Sequence, residues 1–426
     1  MIETVFERAS PYVGYVYPNE TELPWSELIV IYPYITGLVA GAFVVSSLHH
    51  VFGMERFKAV SRFALLTALC FMFFAPVPLL FHLGQPTRAL HAVLTPHWTS
   101  AMAAFGYVAG FYVCLLLLEV WFAFREDMVV MSRTKHGFMA KVYKVMILGS
   151  DDISPAALAL DHKIARILAM IGIPGACGLH GYVGFVFGSL KTREWWSSDL
   201  MPIIFLLSAV VSGVGLLVVL YVITSIYRKV TPDNNAMVGL KQVLWASLCI
   251  VLVIEGLELL EIVYKAREGV EAVMALVAGP IWIGMSIQWG LSVVALVILS
   301  VMMVMKTQGK RLVIWLFVCG FALMLAVLAM RWNVVIGGQE LSKTMKGLLT
   351  YYPTFWGRES LLTVIILFSC PFITLYFATQ FLPPWEDKKH HALHLKSAHP
   401  KAEDGKAAPA KAAHAKATHA KPAEAH

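Results

Sequence analysis

Charge is what this sequence has least of. Only 14% of its 426 residues are Asp, Glu, Lys or Arg, against 58% that are hydrophobic. A soluble chain carries about a quarter charged residues, so a water-soluble globular protein is excluded and a polytopic membrane protein remains. Cysteine is sparse and unpatterned. Its six residues, Cys70, Cys114, Cys177, Cys249, Cys319 and Cys370, stand singly in apolar runs. With no CxxC or CxxCH, cluster binding and c-type haem attachment are not expected, and the cysteines read as small core residues. Residues 1–25 lack a basic n-region and carry Glu3, Glu7, Glu20 and Glu22 instead, so no cleavable signal peptide is expected.

What the chain does have is nine long apolar runs. Only a closed barrel or a helical bundle satisfies every backbone polar group in lipid. The runs reach 20 residues or more without alternation, so they are helices. The expected spans are 27–51, 60–82, 100–124, 164–190, 200–227, 240–264, 272–305, 311–333 and 359–381. The seventh is too long for one straight crossing, and Gly279-Pro280 is expected to break it; eight or ten crossings also fit.

Orientation follows from Lys and Arg. One set of connections holds sixteen: Arg56, Lys58, Arg62, Arg125, Arg133, Lys135, Lys141, Lys144, Lys163, Arg166, Arg228, Lys229, Lys241, Lys306, Lys310 and Arg311. The opposite set holds nine: Arg8, Arg88, Lys191, Arg193, Lys265, Arg267, Lys343, Lys346 and Arg358. The richer side is expected to be cytoplasmic, with the N-terminus periplasmic and the C-terminus inside. Residues 126–162 form a cytoplasmic connection, partly amphipathic. Residues 386–426 are a Lys/Ala/His tail with nothing apolar to bury, expected to be disordered. Its seven irregularly spaced His read as solvated rather than metal-binding.

Ionisable residues inside the apolar runs are costly and are kept for protein-facing work. His82 sits at the outer end of the second run, before Gly84-Gln85-Pro86; it reads as an interfacial residue or as a partner for a ligand at that depth. His180 and Tyr182 lie among glycines in the outer half of the fourth run, where a satisfied core His is the plainer alternative. His49 and His50 close the first run after Ser46 and Ser47, and Glu119 lies near the inner end of the third. Snorkelling accounts for each alone; together they read as the mouth of a proton route. Glu255, Glu258 and Glu261, three apart, share nearly one helix face and require protein partners, Arg331 with Asn333 being the candidate. Two other classes remain open: a transmembrane haem b protein using His82 and His180, and a proton or solute transporter.

These residues also carry a family pattern. Pro24-Trp25, Tyr32, Gly37 and Gly41, then Leu79 to Arg88 with Pro96, Ser100-Ala101-Met102 and Gly106, resemble the opening of the NrfD/PsrC family of quinone-interacting membrane subunits. Tyr182-Val183-Gly184, Trp195-Trp196, Pro202, Phe205-Leu206 and Ser208 resemble its fourth-to-fifth helix junction. Arg331 to Gln339, then Tyr352-Pro353 and Glu359, resemble the ending of its longer members, and the likeness runs from about residue 24 to 381. His82 stands where that family usually has Asp, and Gln85 where it has Arg. The branch suggested is that of periplasmic cytochrome c:menaquinone reductase complexes, or of alternative complex III.

The resemblance implies an all-α membrane protein of two four-helix bundles and a flanking helix. Residues 26–190 would form the first bundle, 191–335 the second, and 336–385 a periplasmic loop and the last helix. Menaquinone or another quinone would bind in the first bundle near the outer face. His82 would be the catalytic residue, with Tyr182, His180, Gln85, Arg88 and Trp25 around the quinone. Glu119, His49, His50, Ser46 and Ser47 would carry protons, while Glu255, Glu258 and Arg331 would be buried charges of the second bundle. Electrons would come from an iron–sulfur subunit within a complex holding other periplasmic redox subunits, a multihaem cytochrome c or a molybdopterin-type subunit. No haem or metal and no nucleic acid is implied for this chain, and the location is the bacterial inner membrane.

Overall fold

A computed structural model describes residues 23–265, 270–343 and 347–385. The 386–426 tail and most of the N-terminal segment lie outside the described residues. Within them the chain is an all-α polytopic membrane protein: nine helices are long and apolar enough to cross a bilayer. They are α1 (Glu27–His50), α2 (Glu55–His82), α3 (Ala101–Thr134), α4 (Pro155–Gly188), α5 (Met201–Tyr227), α6 (Asn234–Lys265), α7 (Trp282–Val304), α8 (Gly309–Glu340) and α9 (Leu361–Phe381). α1 runs from the face that carries His82 to the face that carries His50, and the helices after it alternate.

Neighbouring helices close two rings. α1 packs on α2, α2 on α3, α3 on α4, and α4 back on α1; α5 packs on α6, α6 on α7, α7 on α8, and α8 back on α5. α1 and α4 both meet α5, α8 reaches α1, and α9 lies against α2. The burial follows this plan. The most apolar window of α1 is 94% buried and that of α9 only 17%, so α1 is core and α9 is peripheral.

Glycine lets α5 meet α1 of the other ring and α8 of its own. Gly213 and Gly215 point to opposite sides of α5, two residues being about 200° apart on a helix. A Cβ on Gly213 would lie 2.5 Å from Gly41 Cα of α1, and one on Gly215 would lie 2.8 Å from the Gly320 carbonyl of α8. Backbones at that distance pack without any hydrophobic drive between helices. Gly41→Ala would put its Cβ 2.3 Å from the Ala209 carbonyl. It should destabilise the protein by about 1–3 kcal/mol, read as a lower unfolding midpoint in detergent. Gly178→Ala, with nothing within 4 Å, is the control and should leave the midpoint in place.

Four spans differ from their sequence boundaries for local reasons. Gly279-Pro280 does break the seventh run, leaving a short helix Val270–Ala278 before α7. α3 and α4 run well past the expected 124 and 164, because buried Arg125 ties them together. Its Nε donates to Asp161 Oδ2 at 2.7 Å and its Nη1 to Asp152 O at 2.8 Å. Arg62 of α2 pairs with Asp127 of α3 beside it. The helix Phe138–Met146 folds back along α3, held by Trp121 Nε1 donating to Met146 O at 2.9 Å. α8 continues past Asn333 through a π turn, Asn333–Gly337, whose carbonyls accept from Trp195 and Trp196 as described below.

Candidate functional site

Pro76 interrupts the backbone bonding of α2, which resumes as Val77–His82 and ends at Leu83. The break delivers His82 beside the start of α1. His82 Nδ1 lies 2.8 Å from Glu359 Oε2, and Ser26 Oγ donates to the same oxygen at 2.7 Å. One residue on, Tyr351 OH donates to Glu27 Oε2 at 2.6 Å. Burial, and then the Glu27 carboxylate, push the Tyr351 phenol above its usual range. Three separate stretches, 26–27, 82 and 351–359, therefore meet at one end of α1.

Behind His82 the wall is apolar and aromatic. Leu79 joins the cluster of Ile29, Val30 and Tyr32. Tyr32 meets Phe105 edge-on at 5.6 Å, and Tyr182 stacks on Phe105 at 6.5 Å. The Tyr182 hydroxyl donates to Ala101 O at 2.5 Å, pinning the start of α3 to the end of α4. Trp25 stacks on Trp196 at 5.1 Å, and its backbone N–H donates to Gln339 Oε1 at 2.9 Å. His82, Tyr182 and Trp25 thus border one apolar cluster. Gln85 and Arg88 are exposed on the loop that follows α2.

His180 lies deeper and belongs to a different network. It is fully buried, with Nε2 3.1 Å from Arg331 Nη2. Arg331, equally buried, also donates to Ser208 Oγ at 2.8 Å and to Phe205 O at 3.2 Å, and stands 3.9 Å over the Phe205 ring. The hydrogen bonds of Arg331 therefore go to α4 and α5, and it meets the expected α6 carboxylates only through the longer-range charge interaction with Glu255. The reason is helical phase: Asn333, two residues on, points the other way. Asn333 Nδ2 donates to Gln288 Oε1 at 2.9 Å, and Gln288 Nε2 donates to Glu255 Oε2 at 2.9 Å. Glu258 joins these residues around a cavity of about 50 Å³, and Glu261 pairs with Lys265.

The opposite face holds the remaining candidates. His49 and His50 line a cavity of about 1480 Å³ that also reaches Arg62, Ala123, Asp127 and Tyr221. Ser46 Oγ lies 3.1 Å from His50 Nδ1, while Ser47 Oγ donates to Phe43 O. Glu119 sits one turn of α3 beyond Ala123. It is 1% exposed, and neither carboxyl oxygen has a protein partner; the Tyr112 hydroxyl, two turns further along α3, has none either. A buried polar atom without a partner calls for water or a proton.

The residues that bear the family pattern are now placed together: Trp25, His82, Tyr182, Trp196 and Gln339 all stand at the His82 face. Residues 16–342 match the family described as Polysulphide reductase, NrfD. The chain belongs to the NrfD family. It is similar to a selenate reductase subunit of Mesobacillus selenatarsenatis, 29% identical over 73% of this chain and 73% of that one. It is similar to a protein of Halobacterium salinarum named as a dimethyl sulfoxide reductase membrane subunit, 27% identical over 52% and 48%. The Hdr-like menaquinol oxidoreductase integral membrane subunit of Archaeoglobus fulgidus is 26% identical over 55% and 52%. NrfD membership makes this a membrane subunit of the kind found in reductase complexes, whose redox chemistry is shared with partner subunits. Among the described residues no group of three or more His, Cys, Asp or Glu is placed to hold a metal ion.

Sequence reading left several structural roles unassigned. Arg193 Nη1 donates to the carbonyls of Gly338, Gln339 and Leu341 at 3.0–3.2 Å, closing the end of α8 as a cation should. Trp195 and Trp196 donate to the Asn333 and Val334 carbonyls at 3.0 and 2.5 Å. Gly338 is needed there, since a Cβ would lie 1.9 Å from Trp196 Nε1. Tyr112 carried one signal, its spacing of seven from Glu119, which is two turns on one helix face.

Proposed function

We propose that this chain is the quinone-handling membrane subunit of a respiratory redox complex in the bacterial inner membrane. It passes electrons between a partner iron–sulfur subunit and menaquinone at the His82 face, which is the periplasmic one. The observation that carries this is a His–carboxylate pair at the rim of an apolar, aromatic cluster. A quinone is an apolar ring with two carbonyl oxygens, so it suits a wall such as Leu79, Tyr32, Phe105 and Tyr182 edged by one polar group. The name of the Archaeoglobus relative, a menaquinol oxidoreductase subunit, supports the quinone class. The lysine and arginine asymmetry of the connections supports the orientation.

The same reading gives the opposite face a task. Quinone chemistry needs two protons for two electrons. If protons come from the His50 face and electrons from the His82 face, turnover separates charge, worth roughly 2.3 kcal/mol per charge per 100 mV. Glu119 lies roughly 27 Å along α3 from Ala101 at about 1.5 Å per residue. The large cavity at His49 and His50, then Glu119, Tyr112 and His180, supply polar steps over that depth.

Purification of the tagged chain from its native membrane tests the proposal. An iron–sulfur subunit should co-purify, with quinone present in the preparation, and the quinone analogue heptyl-hydroxyquinoline N-oxide should bind the complex. A chain that purifies alone and binds neither quinone nor analogue overturns it. Tyr182→Phe should cost only the Ala101 hydrogen bond, about 0.5–1.5 kcal/mol. With the start of α3 less firmly held beside the aromatic wall, we expect a few-fold rise in the KM for quinone and a complex that still assembles.

A further inference from the structure

Arg358 and Glu359 sit on the loop that leads into α9, beyond the 16–342 stretch of the family match. The proposed function uses the His82–Glu359 pair as a landmark of the site but gives neither residue of this loop a part in the chemistry. In the structure they hold the end of α2 at His82. Arg358 Nε donates to Phe81 O at 2.7 Å, and its Nη2 donates to Leu83 O. Those two carbonyls flank His82 and lie at a helix C-terminus, where intrahelical donors run out. Glu359 Oε2 meets His82 Nδ1 at 2.8 Å, while Ser26 Oγ fixes the same oxygen at 2.7 Å. The loop is itself anchored: Arg358 grips α2, and Ser360 Oγ accepts from Thr363 N as the N-cap of α9. Adjacent residues thus fix both the backbone around His82 and the ring itself.

We propose that Glu359 is the positioning residue for His82, taking its Nδ1–H so that Nε2 is the nitrogen presented to the quinone oxygen. This rests on the reading that quinone binds at His82. An ionised carboxylate only accepts hydrogen bonds. Its partner nitrogen therefore carries the proton, and the other ring nitrogen keeps its lone pair. Nε2 can then accept from a quinol hydroxyl. Oxidation of the quinol releases two electrons and two protons. The electrons go to the iron–sulfur partner. One proton passes from the hydroxyl to Nε2, and the second follows once His82 has handed the first, through water, to the polar line of Tyr112 and Glu119 that leads to the His50 face. The imidazolium formed in between stands against the Glu359 carboxylate, which stabilises it as the acid of a His–carboxylate pair does. In the reverse direction the same Nε2 proton is delivered to the ring oxygen.

Three measurements on the purified complex test the proposal. The first is the His82 tautomer by ¹⁵N NMR of histidine-labelled wild type, with the His82→Ala complex used to assign the signal. We expect Nδ1–H; an Nε2–H tautomer overturns the proposal with no variant needed. The second is Glu359→Gln, which keeps the shape and removes the charge. The kcat should fall about tenfold or more, within the span expected for proton transfer. Binding of heptyl-hydroxyquinoline N-oxide, read by fluorescence quenching, should stay close to wild type. Should Glu359→Gln not assemble, Glu359→Asp keeps the carboxylate and should retain Nδ1–H with a reduced kcat; loss of that tautomer there overturns the assignment. The third is the double variant. His82→Ala with Glu359→Gln should turn over no more slowly than His82→Ala alone, because Glu359 acts through His82. A wild-type kcat in Glu359→Gln beside an inactive His82→Ala sinks the role of Glu359 and leaves the quinone site standing. Normal turnover and quinone affinity in His82→Ala sinks the site itself.

Discussion

His82→Ala is expected to reduce quinone turnover by about 10²- to 10⁴-fold, the usual worth of a positioned proton-transfer group. The complex should still assemble, and its donor should still reduce the iron–sulfur partner. The separation of effects follows from location. His82 is partly exposed at the end of α2, with a side chain 22% accessible, so removing its ring opens no sealed core cavity. Glu359 keeps its bond from Ser26, and Arg358 keeps the Phe81 and Leu83 carbonyls. The backbone at the site is therefore held while its imidazole is lost. Stopped-flow reduction of the partner's clusters, set beside steady-state turnover with a soluble menaquinone analogue, distinguishes the two steps. Normal steady-state rates in the variant would remove His82 from the chemistry.

The parts legible in the sequence were those set by lipid. Nine spans and the break at Gly279-Pro280 follow from apolar length and from proline chemistry, which act locally. The order in which helices meet is not local. α1 is the buried hub although its composition is like that of peripheral α9, because both are apolar along their whole length and neither has a polar stripe to orient it. What decides is a pair of glycines: Gly41 and Gly213 permit contact at a spacing no other residue allows, and a glycine's partner cannot be read from its own position. The site shows the same division. His82 and Tyr182 were identifiable as polar groups toward the outer ends of their spans, whereas Glu359 was visible only as the last letter of a motif, 277 residues from the ring it touches. Arg331 and Asn333 were read together as partners of the α6 carboxylates. Asn333 reaches Glu255 through Gln288, while the hydrogen bonds of Arg331 turn to His180 and α5, because residues two apart on a helix do not share a face.

Glu119→Gln is expected to slow turnover and to abolish the membrane potential generated by complexes reconstituted in vesicles. Glu119 is buried, yet neither of its oxygens meets a protein donor. Burying an unsatisfied carboxyl costs several kcal/mol, and glutamine offers the same shape without an exchangeable acidic proton. A residue kept only for packing would lose little by that change, since a buried amide without partners is costly too. A residue that loads and releases protons would lose its function, since an amide does neither at these pH values. Its surroundings favour the second reading. Ala123, one turn away, lines the cavity of about 1480 Å³ that takes in His49 and His50, so water reaches within a turn of Glu119. Tyr112 continues the polar line toward the His82 face, its hydroxyl likewise without a protein partner. Two results separate the alternatives. If wild-type vesicles develop a potential on quinone reduction and Glu119→Gln vesicles do not, protons enter from the His50 face through this carboxyl. If wild type turns over without any potential, protons are exchanged on the His82 side, the route does not exist, and Glu119→Gln should then be as active as wild type and nearly as stable.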